Sequence, residues 1–317
     1  MSWLLMAAVA DLLDDPQVDG ASVKTFVSNA AGGTCQGLRI DVERVRGGKG
    51  VADFIRVAVP GSCGRLSGGS APTLGIVGRL GGIGARPSRI GFTSDGDGAL
   101  AAVTIAAKLA RMFARGDILK GDVIVTTQIC PNAPTREHEP VPFMDSPVTS
   151  AQSNAYEIDS AMEAVLCIDT TKGNRIVNHR GIAITPTVKD GWILRTSESL
   201  MSILEQTTGE LPVVLPLTMQ DITPYGNDVY HLNSILQPSV ATQAPCVGVA
   251  ITAVSQVAGC ATGATHLEDV DEAVRFSIEI AKAYGAGACS FYDPAEYARL
   301  IALYGSMSRL RTMGEKA

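Results

Sequence analysis

The chain has 317 residues, of which 46% are hydrophobic and 18% are charged, and its net charge at pH 7 is −6. This composition is typical of a globular protein and excludes a disordered or fibrous chain. The acidic balance, together with the lack of any lysine or arginine run, argues against nucleic acid and anionic membranes as partners.

The chain opens with an apolar stretch, for which we predict an amphipathic helix over Met1–Ala10. No basic segment precedes this stretch and acidic residues follow it at once, so we do not interpret it as a signal peptide. No uninterrupted apolar run reaches the roughly 18–20 residues of a membrane span.

Cysteine usage indicates the compartment. The seven cysteines are odd in number, spread along the chain and free of any CxxC pair, which predicts reduced thiols and a cytoplasmic protein. The apolar balance and a Gly-rich β segment favour a homo-oligomer.

Residues 35–85 are rich in short apolar runs separated by Gly-rich turns, and we predict strands at Leu38–Val45, Asp53–Val59 and Thr73–Leu80. From residue 89 onward strands and helices alternate. The further predicted strands are Arg89–Phe92, Asp122–Thr127, Ala164–Ile168, Leu211–Pro216 and Cys246–Val254. The predicted helices are Ala99–Phe113, Ser153–Glu163, Ser197–Thr207, Leu267–Tyr284 and Pro294–Arg311.

This alternation predicts an α/β fold with a mainly parallel sheet flanked by helices. We expect a single α/β domain over residues 1–317, with a small β-rich subregion near residues 35–85. The Gly-rich segment Gly81-Gly82-Ile83-Gly84 does not have the spacing of a dinucleotide-binding fingerprint, so no Rossmann cofactor is expected.

Acidic residues follow two predicted strands. Asp95 and Asp97 lie between a strand and a helix, where two carboxylates can point at one divalent cation. Asp169 ends an apolar strand and would lie beside them if the two strands are neighbours. The structural alternatives are a turn with a helix cap for the first pair and a strand-end turn for Asp169.

Histidines draw attention in two further segments. Glu137, His138 and Glu139 form a polar cluster in a Pro-rich loop and offer both a general base and ligand chemistry, or else a solvated loop. His266 directly precedes the predicted helix Leu267–Tyr284, where it could bind a metal, carry protons or cap the helix.

A third polar segment, from Gln220 to His231, is dense in polar and aromatic side chains. We interpret it as a substrate-facing loop, with a rigid crossover as the alternative. Its candidate substrate-binding residues are Asp221, Tyr225 and His231. Cys130 and Cys260 are further candidates for substrate binding.

Several of these stretches resemble the co-catalytic-zinc exopeptidase superfamily of glutamyl-type aminopeptidases, and more closely a bacterial family of unknown function within it. Asp95 to Ala102 resembles the bridging-aspartate motif, and Ala164 to Asp169 is similar to the strand whose last aspartate binds one metal. Gly263 to Val270 resembles the closing segment, whose histidine binds the other metal.

Two motifs of that superfamily are missing. The strand comparable to the early His-x-Asp motif contains Gly78-Arg79-Leu80-Gly81, and the Glu-Glu pair would fall near Gln128-Ile129-Cys130, which has no acid. Glu137 or Glu139 would have to replace the missing base.

The resemblance implies a metal-dependent hydrolase of an amide or peptide bond in a small-molecule or short-peptide substrate that is amino-acid-like. One or two zinc or manganese ions would be held by Asp95, Asp97, Asp169 and His266, and Glu137 or Glu139 would act as the base. His266 or a backbone N–H would stabilise the oxyanion.

Two other functions stay open at this point. Cys130 and Cys260 both follow predicted strands in loops of small residues, and two facing thiols can catalyse cofactor-independent racemisation or isomerisation. The missing peptidase motifs favour instead a non-catalytic protein that binds a small amino-acid-like ligand.

Overall fold

The computed structural model describes residues 2–33, 36–79, 83–86, 91–139, 142–171, 173–254 and 264–314. The helices are α1 (Ser2–Asp14), α2 (Gly20–Ala30), α3 (Asp97–Ala114), α4 (Ser150–Glu157), α5 (Glu198–Thr208), α6 (Leu267–Gly285) and α7 (Pro294–Tyr304). The strands are β1 (Arg39–Gly47), β2 (Gly50–Val59), β3 (Leu74–Gly78), β4 (Val123–Ile129), β5 (Thr135–Arg136), β6 (Phe143–Met144), β7 (Ala164–Thr171), β8 (Gly181–Ile184), β9 (Val188–Lys189), β10 (Trp192–Ile193) and β11 (Cys246–Thr252).

A nine-stranded sheet organises the fold, with the order β1-β2-β4-β3-β7-β11-β9-β10 and with β8 also paired to β11. The four central strands β4, β3, β7 and β11 are parallel, whereas β1, β2, β8, β9 and β10 join by antiparallel pairing. The predicted α/β class is confirmed, but the sheet is mixed and parallel only at its centre. The strands from residues 35–85 are part of this sheet and do not form a sheet of their own.

Apolar side chains fill both faces of the sheet. One face packs against α1, α2, α3, α5 and α6, and α3 is so rich in alanine that its backbone approaches the strands closely. The other face is covered by α4 and by the crossover segments around residues 213–244. Within the described ranges, no helix has both the length and the apolar character needed to cross a membrane.

Most predicted elements are present within a few residues of their expected bounds. The segment Leu211–Pro216 is not a strand: its only ladder contact is an isolated bridge from Val214 to Ile184. Pro212 and Pro216 cannot donate backbone hydrogen bonds, which explains why no ladder forms there. The first half of the predicted strand Arg89–Phe92 lies outside the described residues.

Helix α2 was not predicted, although its signals are local. Asp19 caps it by accepting a 2.8 Å hydrogen bond from the Ser22 backbone, and Val23 and Val27 bury one face. Helix α4 begins earlier than predicted because Thr149 and Gln152 form a capping box ahead of it.

Strand β1 forms one edge of the sheet. It pairs with β2 along its whole length, and among the described residues no other strand follows it in the sheet order. Five charged side chains along it are exposed, namely Arg39, Asp41, Glu43, Arg44 and Arg46.

Candidate functional site

A row of polar side chains crosses the sheet at the carboxyl ends of its parallel strands. Gly78 of β3 pairs with Thr127 of β4 and with Ile168 of β7, and the backbone N–H of Arg79 extends this pairing with a 2.7 Å bond to the Ile168 carbonyl. The next residue on each strand therefore belongs to one row, with neighbours about 5 Å apart. Across the sheet, this row consists of Gln128, Arg79 and Asp169.

The row faces α4. Thr126, two residues before Gln128, donates a 2.8 Å hydrogen bond to the Glu157 carbonyl of α4. Because side chains alternate between the two faces of a strand, Gln128 and its neighbours in the row point to the same side as Thr126. Ligands of open α/β sheets bind at this end of the strands.

A buried ion pair lies at the centre of the row. The Arg79 guanidinium donates through Nε to the Glu157 carboxylate at 2.8 Å and through Nη2 to the Asn154 amide oxygen. The Arg79 and Glu157 side chains are only 4% and 1% exposed. Burial raises the pKa of Glu157, and the adjacent Arg79 opposes that rise. No described residue accepts a hydrogen bond from Nη1 of Arg79.

Asp169 is the buried acid of the row. Its Oδ1 accepts a 2.7 Å bond from the Thr170 backbone, and its Oδ2 accepts a 3.1 Å bond from the Ser234 hydroxyl. Burial raises the pKa of Asp169 to about 7, although the Ser234 and Thr170 hydrogen bonds and the Arg79 charge all oppose the shift. A carboxyl group with such a pKa can both take up and release a proton near neutral pH.

Replacing Asp169 with asparagine is expected to stabilise the fold at pH 8. In the unfolded chain an aspartate loses its proton near pH 4, whereas folded Asp169 keeps it up to about pH 7. The folded state thus binds more protons in this window, and stability falls as the pH rises through it. Asparagine removes that loss, which over about three pKa units at about 1.4 kcal/mol each amounts to roughly 4 kcal/mol.

Urea unfolding of both proteins at pH 4.5 and pH 8 checks this expectation. The advantage of the asparagine variant should be small at the lower pH and large at the higher one. The exposed Asp117 provides the control, because Asp117→Asn should leave the pH dependence unchanged. A variant of Asp169 that is less stable than the wild type at pH 8 contradicts the argument.

Gln128 is a buried amide without a partner. Its side chain is 1% exposed, and among the described residues neither its amide oxygen nor its amide nitrogen forms a hydrogen bond. A buried amide that lacks partners costs roughly 1–3 kcal/mol. An amide without partners in a native fold needs an explanation. Because Gln128 lies beside Arg79, we infer that a bound polar group supplies the missing hydrogen bonds.

The crossover segment from Thr218 to Gln237 covers this row. Asp221 organises it, because its carboxylate accepts four bonds of 2.8–3.0 Å from Thr218, Leu232 and Asn233. Gln237 holds the segment as well, since its side chain bonds to the backbone of Thr223 at 2.7 Å. Asp221, expected to contact substrate, has both oxygens engaged within the loop.

Tyr225 and His231, two further predicted substrate-binding residues, lie on the same segment. Their rings are 4.5 Å apart, and the His231 Nε2 is 3.1 Å from the Thr223 hydroxyl. Tyr225 is 37% exposed while its hydroxyl meets Ser234, and burial raises the pKa of Tyr225 to about 12. Tyr225 thus contacts the same Ser234 hydroxyl that donates to Asp169.

The opposite face of the same strand ends carries Asp97. Its Oδ2 accepts a 3.2 Å bond from the Thr170 hydroxyl, and its Oδ1 accepts a 2.7 Å bond from Thr265. Three segments far apart in sequence therefore meet there. Asp95, on the turn before α3, is also buried.

The close approach of α3 brings these groups together. Gly98 lies in the first turn of α3, and a Cβ atom added to it would be 1.8 Å from the Arg79 carbonyl and 2.6 Å from the Ile168 carbonyl. The helix start is therefore in contact with the backbone of β3 and β7, which glycine alone allows.

The predicted metal set is not gathered into a coordination group. Nowhere in the described part of the chain do three or more His, Cys, Asp or Glu side chains form an arrangement that could hold a metal ion. Both oxygens of Asp97 and of Asp169 accept hydrogen bonds, and His266 is exposed at the start of α6. These residues do not fit a metal centre, and metal binding by the chain stays a prediction.

The remaining predicted residues lie elsewhere. Glu137, His138 and Glu139 are exposed on the loop between β5 and β6, where the His138 ring is 5.9 Å from that of Phe143. Cys130 is buried and its thiol is 3.5 Å from the Val51 carbonyl. Burial raises the pKa of Cys130 to about 11, which disfavours a nucleophilic thiolate. Cys260 lies outside the described residues.

Sequence reasoning identified Asp169 but missed Arg79, Gln128 and Glu157 as members of the site. Arg79 and Gln128 stand in the two segments that lack the peptidase motifs, so the resemblance assigns them no role. The sequence does carry one signal for Arg79, because a charged residue directly after the apolar strand at 74–78 is unusual in a buried position.

Comparison with known proteins places most of the chain in one family. A family model described as "Protein of unknown function (DUF1177)" matches residues 43–314. No curated protein matches the chain.

Proposed function

The chain belongs to the DUF1177 family, and from that premise we propose that it hydrolyses an amide bond in a small amino-acid-like substrate. The supporting observation is Asp169, a buried carboxyl group whose pKa is raised to about 7, beside a fixed guanidinium and at the ligand-binding end of a parallel sheet. We also propose that the family descends from the zinc-exopeptidase superfamily. Two features support both proposals: the parallel strands at the centre of the sheet and the acidic residues Asp97 and Asp169 near their carboxyl ends.

In this proposal Arg79 and Gln128 hold the substrate. The Arg79 guanidinium, fixed by Glu157 and Asn154, presents Nη1 to the substrate, and Gln128 supplies an amide N–H whose hydrogen-bonding capacity is unused by the described residues. A substrate carbonyl placed between them accepts two hydrogen bonds, one of them from a charged group. Such donors stabilise the oxyanion that forms when water attacks the carbonyl.

Asp169 exchanges the proton. As a carboxylate it removes a proton from the attacking water, whose oxygen bonds to the carbonyl carbon. When the tetrahedral intermediate collapses, the C–N bond breaks and Asp169 returns the proton to the leaving nitrogen. A pKa near 7 suits both transfers, and the Ser234 hydroxyl, 3.1 Å away, orients the carboxyl group.

The test is turnover of amino-acid amides, N-acyl amino acids and dipeptides, followed by mass spectrometry with the wild type and with Asp169→Asn. Loss of the proton-transferring group is expected to lower kcat by about 100-fold or more, while Asp117→Asn retains it. Since Asp169→Asn is expected to be at least as stable as the wild type, unfolding does not explain a loss.

Two results decide between this proposal and its rivals. An equal loss of kcat in Glu139→Gln would indicate that Glu139, on the exposed loop, is the general base. Thermal stabilisation by these compounds without any turnover would identify a non-catalytic binding protein, which is the alternative that the missing motifs favour.

The zinc or manganese prediction has its own measurement. Metal analysis of protein purified without chelator, followed by assay after chelation, tests it directly. Stoichiometric metal that disappears together with activity in Asp169→Ala would replace the guanidinium-based proposal with a metal-dependent one.

A further inference from the structure

A cleft lies at the opposite end of the sheet from Asp169. Its walls include Met162 and Glu163, which precede β7, and Ala244 and Pro245, which precede β11. The cleft has a volume of about 810 Å³, within the range of small-molecule sites. Because β7 and β11 begin here and the acid of the candidate site follows their carboxyl ends, the cleft is separate from that site.

Lys189 of β9 places an ammonium group in this cleft. Its Nζ lies 5.3 Å from the centre of the Tyr292 ring and 5.2 Å from that of Tyr297, and it donates a 2.7 Å hydrogen bond to the Gln243 carbonyl. Among the described residues, no carboxylate lies within 4 Å of this nitrogen. Two of its three N–H donors thus have no protein acceptor in the described part of the chain.

The other cation of the cleft is already neutralised. Arg311 donates through Nη1 to Asp190 at 2.7 Å and through Nε to the Val240 carbonyl at 3.3 Å. Glu163, the acid of the lining, is paired with Arg65 at 2.6 Å. Among the described charged residues that line the cleft, Lys189 is therefore the one without an ion-pair partner.

Aromatic side chains supply the apolar walls. Tyr284 and Phe291 pack edge to face with their ring centres 5.3 Å apart, and Tyr292, which also lines the cleft, lies next to Lys189. Burial raises the pKa of Tyr284 to about 12, so its hydroxyl stays protonated and can donate a hydrogen bond.

We propose that this cleft binds a small monocarboxylate with an aromatic or similarly flat apolar body, whose carboxylate pairs with Lys189. A single unmatched positive charge fits a monoanion better than a phosphate dianion, and the aromatic walls fit a planar group. Burial lowers the pKa of Lys189, which is the cost that a bound anion offsets. The site is independent of the hydrolase activity proposed above.

Isothermal titration of the full chain with phenylacetate tests this assignment. We expect saturable binding by the wild type and a dissociation constant raised about tenfold or more by Lys189→Met, which removes the charge and keeps the stem. Lys189→Arg should restore binding, whereas phenylacetamide, the neutral analogue, should bind poorly. Lys282→Met, at an exposed lysine paired with Glu279, is the matched control and should bind as the wild type does.

Three outcomes overturn the proposal. They are absence of saturable phenylacetate binding to the wild type, equal binding by Lys189→Met, and binding of inorganic phosphate more tightly than phenylacetate. If the methionine variant proves poorly folded, the comparison of phenylacetate with phenylacetamide on the wild type keeps the test decisive. Equal binding of the neutral amide would overturn the proposed pairing of the carboxylate with a positive charge.

Discussion

Gly98→Ala is expected to lower the free energy of unfolding by about 3 kcal/mol or more. The added Cβ would lie 1.8 Å from the Arg79 carbonyl and 2.6 Å from the Ile168 carbonyl. Both neighbours are backbone atoms of central strands, which cannot rotate away as a flexible side chain would. Helix α3 would have to shift, and the shift would displace the Asp97 contacts with Thr170 and Thr265.

Gly48 provides the matched control for this substitution. It lies in the turn between β1 and β2, and nothing is within 4 Å of a Cβ added there. Gly48→Ala should change stability by no more than about 1 kcal/mol. Urea unfolding of the two variants measures the difference, and similar stabilities would show that the α3 contact is looser than the geometry indicates.

Removing either partner of the Arg79–Glu157 pair should cost about 3–5 kcal/mol. Arg79→Met leaves a carboxylate buried without its cation, and Glu157→Gln leaves a buried guanidinium without its anion. The double variant removes both charges, so its loss should be no larger than that of the more damaging single variant. This non-additivity, measured by urea unfolding at pH 7, is the signature of a coupled buried pair.

The exposed pair of Lys282 and Glu279, with 2.6 Å between its charged atoms, offers a comparison. The same cycle there should yield a coupling of less than about 1 kcal/mol, because water screens both charges. Additive losses at Arg79 and Glu157 would contradict the expected coupling.

The sequence predicted the centre of the fold well because its signals are local. Helix α3 and strands β7 and β11 are long apolar segments with clear boundaries, and each lies within a few residues of its predicted range. The short antiparallel strands at the β10 edge carry no such signal, since β8 and β9 are fixed by pairing with β11. Long-range pairing decides those elements, and no single segment of sequence contains it.

The candidate site was predicted only in part for the same reason. Asp169 ends an apolar strand, and that position was enough to select it. Gln128 and Arg79 join Asp169 in one row only through the register of three strands, which the sequence does not specify. The exposed cluster at Glu137–Glu139 drew attention through composition, yet composition says nothing about whether a loop faces the sheet end or the solvent.

The charged outer strand β1 has a consequence for self-association. Side chains of both signs project along Arg39–Gly47, and joining a second copy through this ladder would strip water from several of them at once. The charged side chains of β1 therefore disfavour edge-to-edge pairing of sheets from two copies at this edge. Any homo-oligomer of this protein is expected to assemble through a different surface.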